Sequence, residues 1–138
     1  MLKFSKKLDY TVGIITEMAR EQELFRSSLQ LAETLNIPKV LTANLLKFLC
    51  QQGIVSSVRG AYGGYRLTKT LDEISLFDLV ELIDGPVCLT DCTANNCIRQ
   101  ERCINTHGFA VLNRRFRDLL DMSLTEFLAL PEEERSSE

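Results

Sequence analysis

The chain has 138 residues, 45% apolar and 25% charged, a balance that fits one folded domain and excludes wholesale disorder, collagen and low-complexity architectures. No apolar run approaches the roughly 20 residues of a spanning helix. Residues 1–7 are basic, with no apolar stretch before Asp9, so no secretory signal is expected and the protein reads as cytoplasmic. The net charge of −3 conceals a split: residues 1–71 hold ten Lys/Arg against five Asp/Glu, and residues 72–138 hold six against fourteen. A basic first half is what a surface facing a polyanion needs.

Over residues 6–21, Leu8, Val12, Ile15, Met18 and Ala19 follow the spacing of a helix with one buried face. Ser27 or Ser28 caps a shorter helix through Leu35, with Gln30 three residues after Ser27 as in a capping box. Residues 35–38 read as a turn, and Pro38 suits the first position of a third helix, where its missing N–H costs nothing. That helix runs to Gln52 with Leu41, Leu45, Phe48 and Leu49 on one side and Gly53 behind it as a C-cap residue. The period then changes. Residues 54–58 and 65–68 are short β-type runs, joined by the glycine-bearing residues 59–64 of a hairpin turn. Ser75, with Asp78 three residues on, caps a fourth helix carrying Leu76, Leu79, Val80 and Ile83. An irregular cysteine-rich segment follows Gly85-Pro86. A long helix over residues 104–122 then carries Val111, Leu112, Phe116, Leu119 and Leu120, and a last short helix starts at Ser123, boxed by Glu126. The polar residues 131–138 are expected to fray.

Helix, short helix, turn, helix, hairpin is the order of a winged helix-turn-helix, so the fold class expected is mainly α with a small β-hairpin wing. In such a fold the second helix of the motif enters the major groove of duplex DNA. Here that helix is expected to expose Lys39, Thr42, Ala43, Asn44 and Lys47 away from its leucine face. Asn and Lys read base edges, and Thr bonds phosphate or touches a thymine methyl. Arg59, beside Gly60 at a glycine-rich tip, is placed to enter a narrow minor groove. Arg66, Lys69, Lys3, Lys6 and Lys7 would neutralise phosphates. Any one of these charges alone reads as an ordinary solvated side chain; the ordered set is what points to DNA. The Gly-rich run lacks the Lys-Ser/Thr ending of a phosphate-cradling loop.

Cys92-x4-Cys97-x5-Cys103-x3-His107 is the chemical centre of the second half. Structural disulfides are not expected in a reducing compartment. Soft thiolates at this spacing can converge on zinc, closed tetrahedrally by His107, or on an iron–sulfur cluster. The local spacing leaves both open. Cys88 is expected to pack, and Cys50, beside Leu49, to lie in the core. With one histidine and no Ser/His/Asp arrangement, an enzyme is not expected, nor is a small-molecule substrate.

Taken together, the winged helix, the three-cysteine loop and the long helix resemble the IscR/NsrR-type family of iron–sulfur transcriptional regulators, from Leu2 to about Leu128. The pieces that carry the resemblance are Gly53-Ile-Val-Ser-Ser-Val-Arg-Gly60, Gly63-Gly64-Tyr65 and the ordered Cys92, Cys97 and Cys103. Residues 74–81 and 85–92 look closest to the branch regulating the Suf cluster-assembly operon, whereas the cysteine spacing is similar to the nitric-oxide-sensing NsrR branch. The resemblance implies a homodimer with crossing long helices, a double-stranded DNA operator, Tyr65 within the DNA-binding wing, and a cluster held by the three cysteines and a fourth ligand. In NsrR-like members that ligand is an aspartate of the partner's first helix; Leu8-Asp9-Tyr10 matches the motif, and a 4Fe–4S cluster would follow. In IscR-like members it is a histidine after the third cysteine; His107 fits one residue further along than usual, and 2Fe–2S would follow. The 4Fe–4S reading is favoured. The implied organisation is a DNA-binding domain over 1–85, a cluster-binding loop over 86–103, a dimerisation helix and short helix over 104–130, and a tail over 131–138. The function expected is a cluster-dependent regulator, read as a repressor, of iron–sulfur assembly or of nitric oxide and oxidative stress genes. A zinc- or thiol-based winged-helix regulator is the first alternative, ahead of a Cys-Cys-Cys-His RNA module and an electron carrier.

Overall fold

A computed structural model describes residues 3–89 and 106–131. In chain order it contains α1 (Lys6–Arg20), α2 (Ser28–Leu35), α3 (Lys39–Gln51), β1 (Val55–Val58), β2 (Gly64–Leu67), a single 3-10 turn (Leu71–Glu73), α4 (Leu76–Asp84), α5 (Thr106–Leu120) and α6 (Leu124–Leu128). This is the mainly helical winged helix-turn-helix that the sequence predicts. The first compact unit ends at Ile74 and the second begins at Ser75, so α4, grouped above with the DNA-binding part, packs with the C-terminal elements.

Local capping chemistry fixes the elements of the first unit. The Ser5 hydroxyl accepts the Leu8 N–H at 3.1 Å and starts α1. Ser27 and Gln30 form the expected capping box of α2, each side chain accepting the other's backbone N–H at 3.1 and 3.0 Å. Two hydrogen bonds end α2: Ile37 N–H to the Ala32 carbonyl at 3.0 Å and Asn36 N–H to Glu33 at 3.3 Å. This closure requires a left-handed residue, and Asn36 supplies it at φ 54°. The same motif ends α3: Ile54 N–H bonds Leu49 and Gly53 N–H bonds Cys50, both at 3.1 Å, with Gly53 at φ 77°. Pro38 precedes α3 as its N-cap rather than sitting inside it, one position from expectation; its extended ψ of 131° keeps it outside the helix.

The buried face of α1 is Leu8, Thr11, Ile14, Ile15 and Met18, shifted from the predicted one; Val12 and Ala19 are half-buried at its margins. Thr11 lies fully buried because its hydroxyl donates to the Lys7 carbonyl one turn back, at 2.7 Å. Against this face pack Leu31 and Ala32 of α2 and Leu45, Leu46 and Leu49 of α3. Val55 and Leu67 close the core from the wing.

The wing is an antiparallel hairpin in the register Val55↔Leu67, Ser56↔Arg66, Ser57↔Tyr65 and Val58↔Gly64. A third chain segment joins its edge, since Arg26 N–H donates to the Tyr65 carbonyl at 2.9 Å and Tyr65 N–H to the Arg26 carbonyl at 2.8 Å. Gly64 makes this approach possible. At φ +144°, a Cβ there would lie 2.6 Å from the Arg26 carbonyl carbon. The Arg26 guanidinium turns back to α1 and donates to the Glu17 carboxylate at 3.1 Å and to the Glu17 carbonyl at 3.2 Å.

In the second unit, Ser75 caps α4 through the Asp78 N–H, and Ser123 forms its capping box with Glu126. Leu76 N–H donates to the Met122 carbonyl at 2.8 Å, pairing the start of α4 with the start of α6. Leu76, Leu79, Val80, Val87, Leu120 and Leu124 form the core. The long helix departs from the expected pattern. Of its apolar residues Leu120 is buried, whereas Phe109, Leu112 and Leu119 are exposed and Val111 and Phe116 half-exposed. Asn113, a polar residue, is buried instead, and its Oδ1 accepts the Leu89 N–H at 3.0 Å.

Candidate nucleic-acid interface and metal ligands

The α2–turn–α3 arrangement buries one side of α3 and leaves the other to solvent. Lys39, Val40, Asn44 and Lys47 are exposed along that outer side, and Ala43 is half-exposed between them. Helical spacing stacks 40, 44 and 47 on one face. Thr42 is not on it. It is fully buried, its hydroxyl donating to the Pro38 carbonyl at 2.8 Å, so it leaves the set of groups available to DNA. The cause is the turn geometry: Pro38 ends the chain's extended segment with a carbonyl that needs partners, and Thr42 supplies both its N–H and its hydroxyl.

At the wing tip Arg59 is exposed. The turn is closed by the Gly63 N–H donating to the Gly60 carbonyl at 3.1 Å, with Gly60 at φ +120°. Tyr62 projects from this tip with 97% exposure. Tyr65 is half-buried and anchored through its backbone to Arg26. Arg66 is already engaged, its guanidinium 4.6 Å from the Phe25 ring centroid and 4.0 Å from the Glu23 carboxylate. Lys3, Lys6, Lys7 and Lys69 are exposed. Neither Val40, 75% exposed, nor Tyr62 is among the DNA-contacting residues expected from the sequence. The signal for Val40 was present, because it falls off the ridge formed by Leu41, Leu45 and Leu49.

Cys92, Cys97 and Cys103 lie outside the described residues. Asp9 is exposed in the first turn of α1, where a carboxylate also complements the helix dipole. His107 is exposed in the first turn of α5. Among the described residues no group of three or more His, Cys, Asp or Glu is arranged to hold a metal. Two cysteine expectations are corrected. Cys50 is only half-buried, because its thiol turns to the Ser57 hydroxyl at 3.8 Å rather than into the leucine core. Cys88 is exposed, since the neighbour that packs is Val87. Among the described residues no helix is long and apolar enough to cross a membrane.

A winged helix with a basic, outward-facing second helix and an arginine at the wing tip defines a DNA-binding protein. Its family is given by sequence: residues 4–129 match the Rrf2 family, described as iron-dependent transcriptional regulators, and the chain belongs to that family. It is a transcriptional regulator and not an enzyme. Over 129 residues it is 30% identical to the HTH-type transcriptional regulator IscR of Escherichia coli, covering 92% of this chain and 75% of that one. It is 34% identical over 87 residues to the HTH-type transcriptional regulator CymR of Bacillus subtilis, an alignment spanning 63% of that relative. The structure of CymR, described as the global cysteine regulator of B. subtilis, superimposes with a TM-score of 0.71 at 26% identity, over 96% of this chain and 100% of that one. A protein from Listeria innocua superimposes at 0.80 with 25% identity, over 99% and 92%.

Proposed function

We propose that this regulator is an iron–sulfur-cluster-dependent repressor that binds its operator as a homodimer, with Cys92, Cys97 and Cys103 as cluster ligands. The observation that carries the reading is the position of the three thiols. They fall in one segment between α4 and α5, directly ahead of a helix whose apolar side is exposed. Phe109, Leu112, Phe116 and Leu119 recur at intervals of three and four, the seam of a helix pair. A second copy of α5 is the partner this seam fits.

Three thiolates in one short segment are the soft donor set that iron–sulfur clusters take. Asp9, which would be donated across the dimer, and His107, which would come from the same chain as the cysteines, are the fourth-ligand candidates, and both are exposed. Asp9 goes with the favoured 4Fe–4S cluster and His107 with 2Fe–2S. When bound, the cluster supplies an oxidant-, nitric-oxide- and iron-sensitive group whose loss frees the thiolates. On the DNA side, Lys39, Ala43, Asn44 and Lys47 of α3 and Arg59, Gly60, Tyr65 and Arg66 of the wing contact the duplex, with target genes in iron–sulfur assembly or nitric oxide and oxidative stress. Coupling of about 1.4 kcal/mol between cluster and operator is enough for a tenfold change in affinity.

Anaerobic purification with an absorption spectrum and iron, sulfide and zinc counts on one sample tests this. A brown protein with equal iron and sulfide, bleached in the Cys92→Ala, Cys97→Ala and Cys103→Ala variants, and with operator affinity lowered on cluster loss, is the expected result. A colourless protein with one zinc per chain would transfer the reading to a zinc regulator, which the Cys-x4-Cys-x5-Cys-x3-His spacing also accommodates.

A further inference from the structure

Val40 is the outlier of the recognition helix. It is a β-branched apolar residue in the first turn of α3, 75% exposed, on the face that carries Asn44 and Lys47. Neither helix propensity nor packing accounts for it there: branching at Cβ disfavours the helix slightly, and so much of the side chain stands in water that the core gains little from it. The polar residue beside it with a methyl of its own, Thr42, is buried.

We propose that Val40 is a specificity-determining residue that reads thymine. Its isopropyl group, extended by the half-exposed methyl of Ala43 three residues on, packs against the C5-methyl that only A·T pairs display in the major groove. Asn44, one turn along the same face, then meets the N6 and N7 edge of an adjacent adenine. Lys39 and Lys47 flank the pair and hold phosphates. Residues near the N-terminus of a recognition helix are those that reach base edges, and helical side chains lean toward that end, so Val40 leads into the groove. The half-site therefore contains a thymine next to an adenine. This deepens, and rests on, the reading of the outer side of α3 as the DNA face.

The test uses the full-length, anaerobically purified protein and a duplex enriched by it from a random library. Each thymine is replaced singly by deoxyuridine, which removes the methyl and leaves every hydrogen-bonding group. One thymine per half-site should lose about fourfold in affinity on replacement, the equivalent of one buried methyl. The Val40→Ala variant should bind the thymine and uracil duplexes equally. Its exposed position keeps folding out of the comparison. Unchanged affinity at every uracil, or a Val40→Ala variant that keeps the thymine preference, overturns the assignment. The Asn44→Ala and Lys47→Ala variants separate the two levels. If they weaken binding while the methyl test fails, only the role of Val40 is lost. If they too bind normally, the α3 face itself is not the DNA surface.

Discussion

Replacing Arg26 by alanine removes the side chain that ties the linker before α2 to the end of α1. Its guanidinium donates to the Glu17 carboxylate at 3.1 Å and to the Glu17 carbonyl at 3.2 Å, and the two side chains are only 16% and 14% exposed. Breaking a fully buried pair costs about 3–5 kcal/mol and an exposed one about 0–1 kcal/mol. At this burial, Arg26→Ala should cost about 2–3 kcal/mol. Glu17→Ala should cost less, about 1–2 kcal/mol, because the main-chain carbonyl stays in place and still accepts from Arg26. Glu17 also has a weaker second partner in Arg20, 3.5 Å away and 75% exposed, which limits how far the carboxylate is stranded when Arg26 goes. Urea unfolding followed by far-UV circular dichroism measures both, with the double variant completing a cycle. An Arg26→Ala loss under about 0.5 kcal/mol at unchanged slope, or strictly additive single losses, would refute the reasoning; the pair would then be a surface contact without energetic weight.

Gly64→Ala should destabilise by more than about 2 kcal/mol, because the added Cβ meets the Arg26 backbone at 2.6 Å and the residue sits at φ +144°. Gly60→Ala, at φ +120° with open space around it, should cost only about 1 kcal/mol of backbone strain; equal losses in urea titrations would contradict this contrast. Asn36→Gly should fall within about 0.5 kcal/mol of wild type, while Asn36→Ala should lose about 1 kcal/mol, as the left-handed φ of 54° demands. Leu119→Glu should leave the circular dichroism spectrum intact, since this side chain is 65% exposed, yet shift the sedimentation velocity from dimer to monomer. An unshifted dimer would remove the α5 seam from the proposed assembly.

What the sequence settled is what is decided within a few residues. The caps at Ser27, Ser75 and Ser123, the glycine that ends α3 and the hairpin turn between two short strands are each a bond between groups three to six positions apart. Their chemistry is therefore visible in the order of residue types, and with it the winged helix-turn-helix. Burial is a different matter, because it depends on which distant segments converge. Thr11 and Thr42 look polar in the sequence but lie in the core, each hydroxyl having its own helix to bond. Cys50 and Cys88 look apolar but are half-buried and exposed. Arg26 looks like one more surface cation, and only the fold brings it 3.1 Å from Glu17 and lays its backbone along Tyr65. The periodicity of α5 marks an apolar side but not what covers it. The tertiary structure leaves Phe109, Leu112 and Leu119 exposed, because the core of the second unit takes Leu120 and Asn113 from this helix instead.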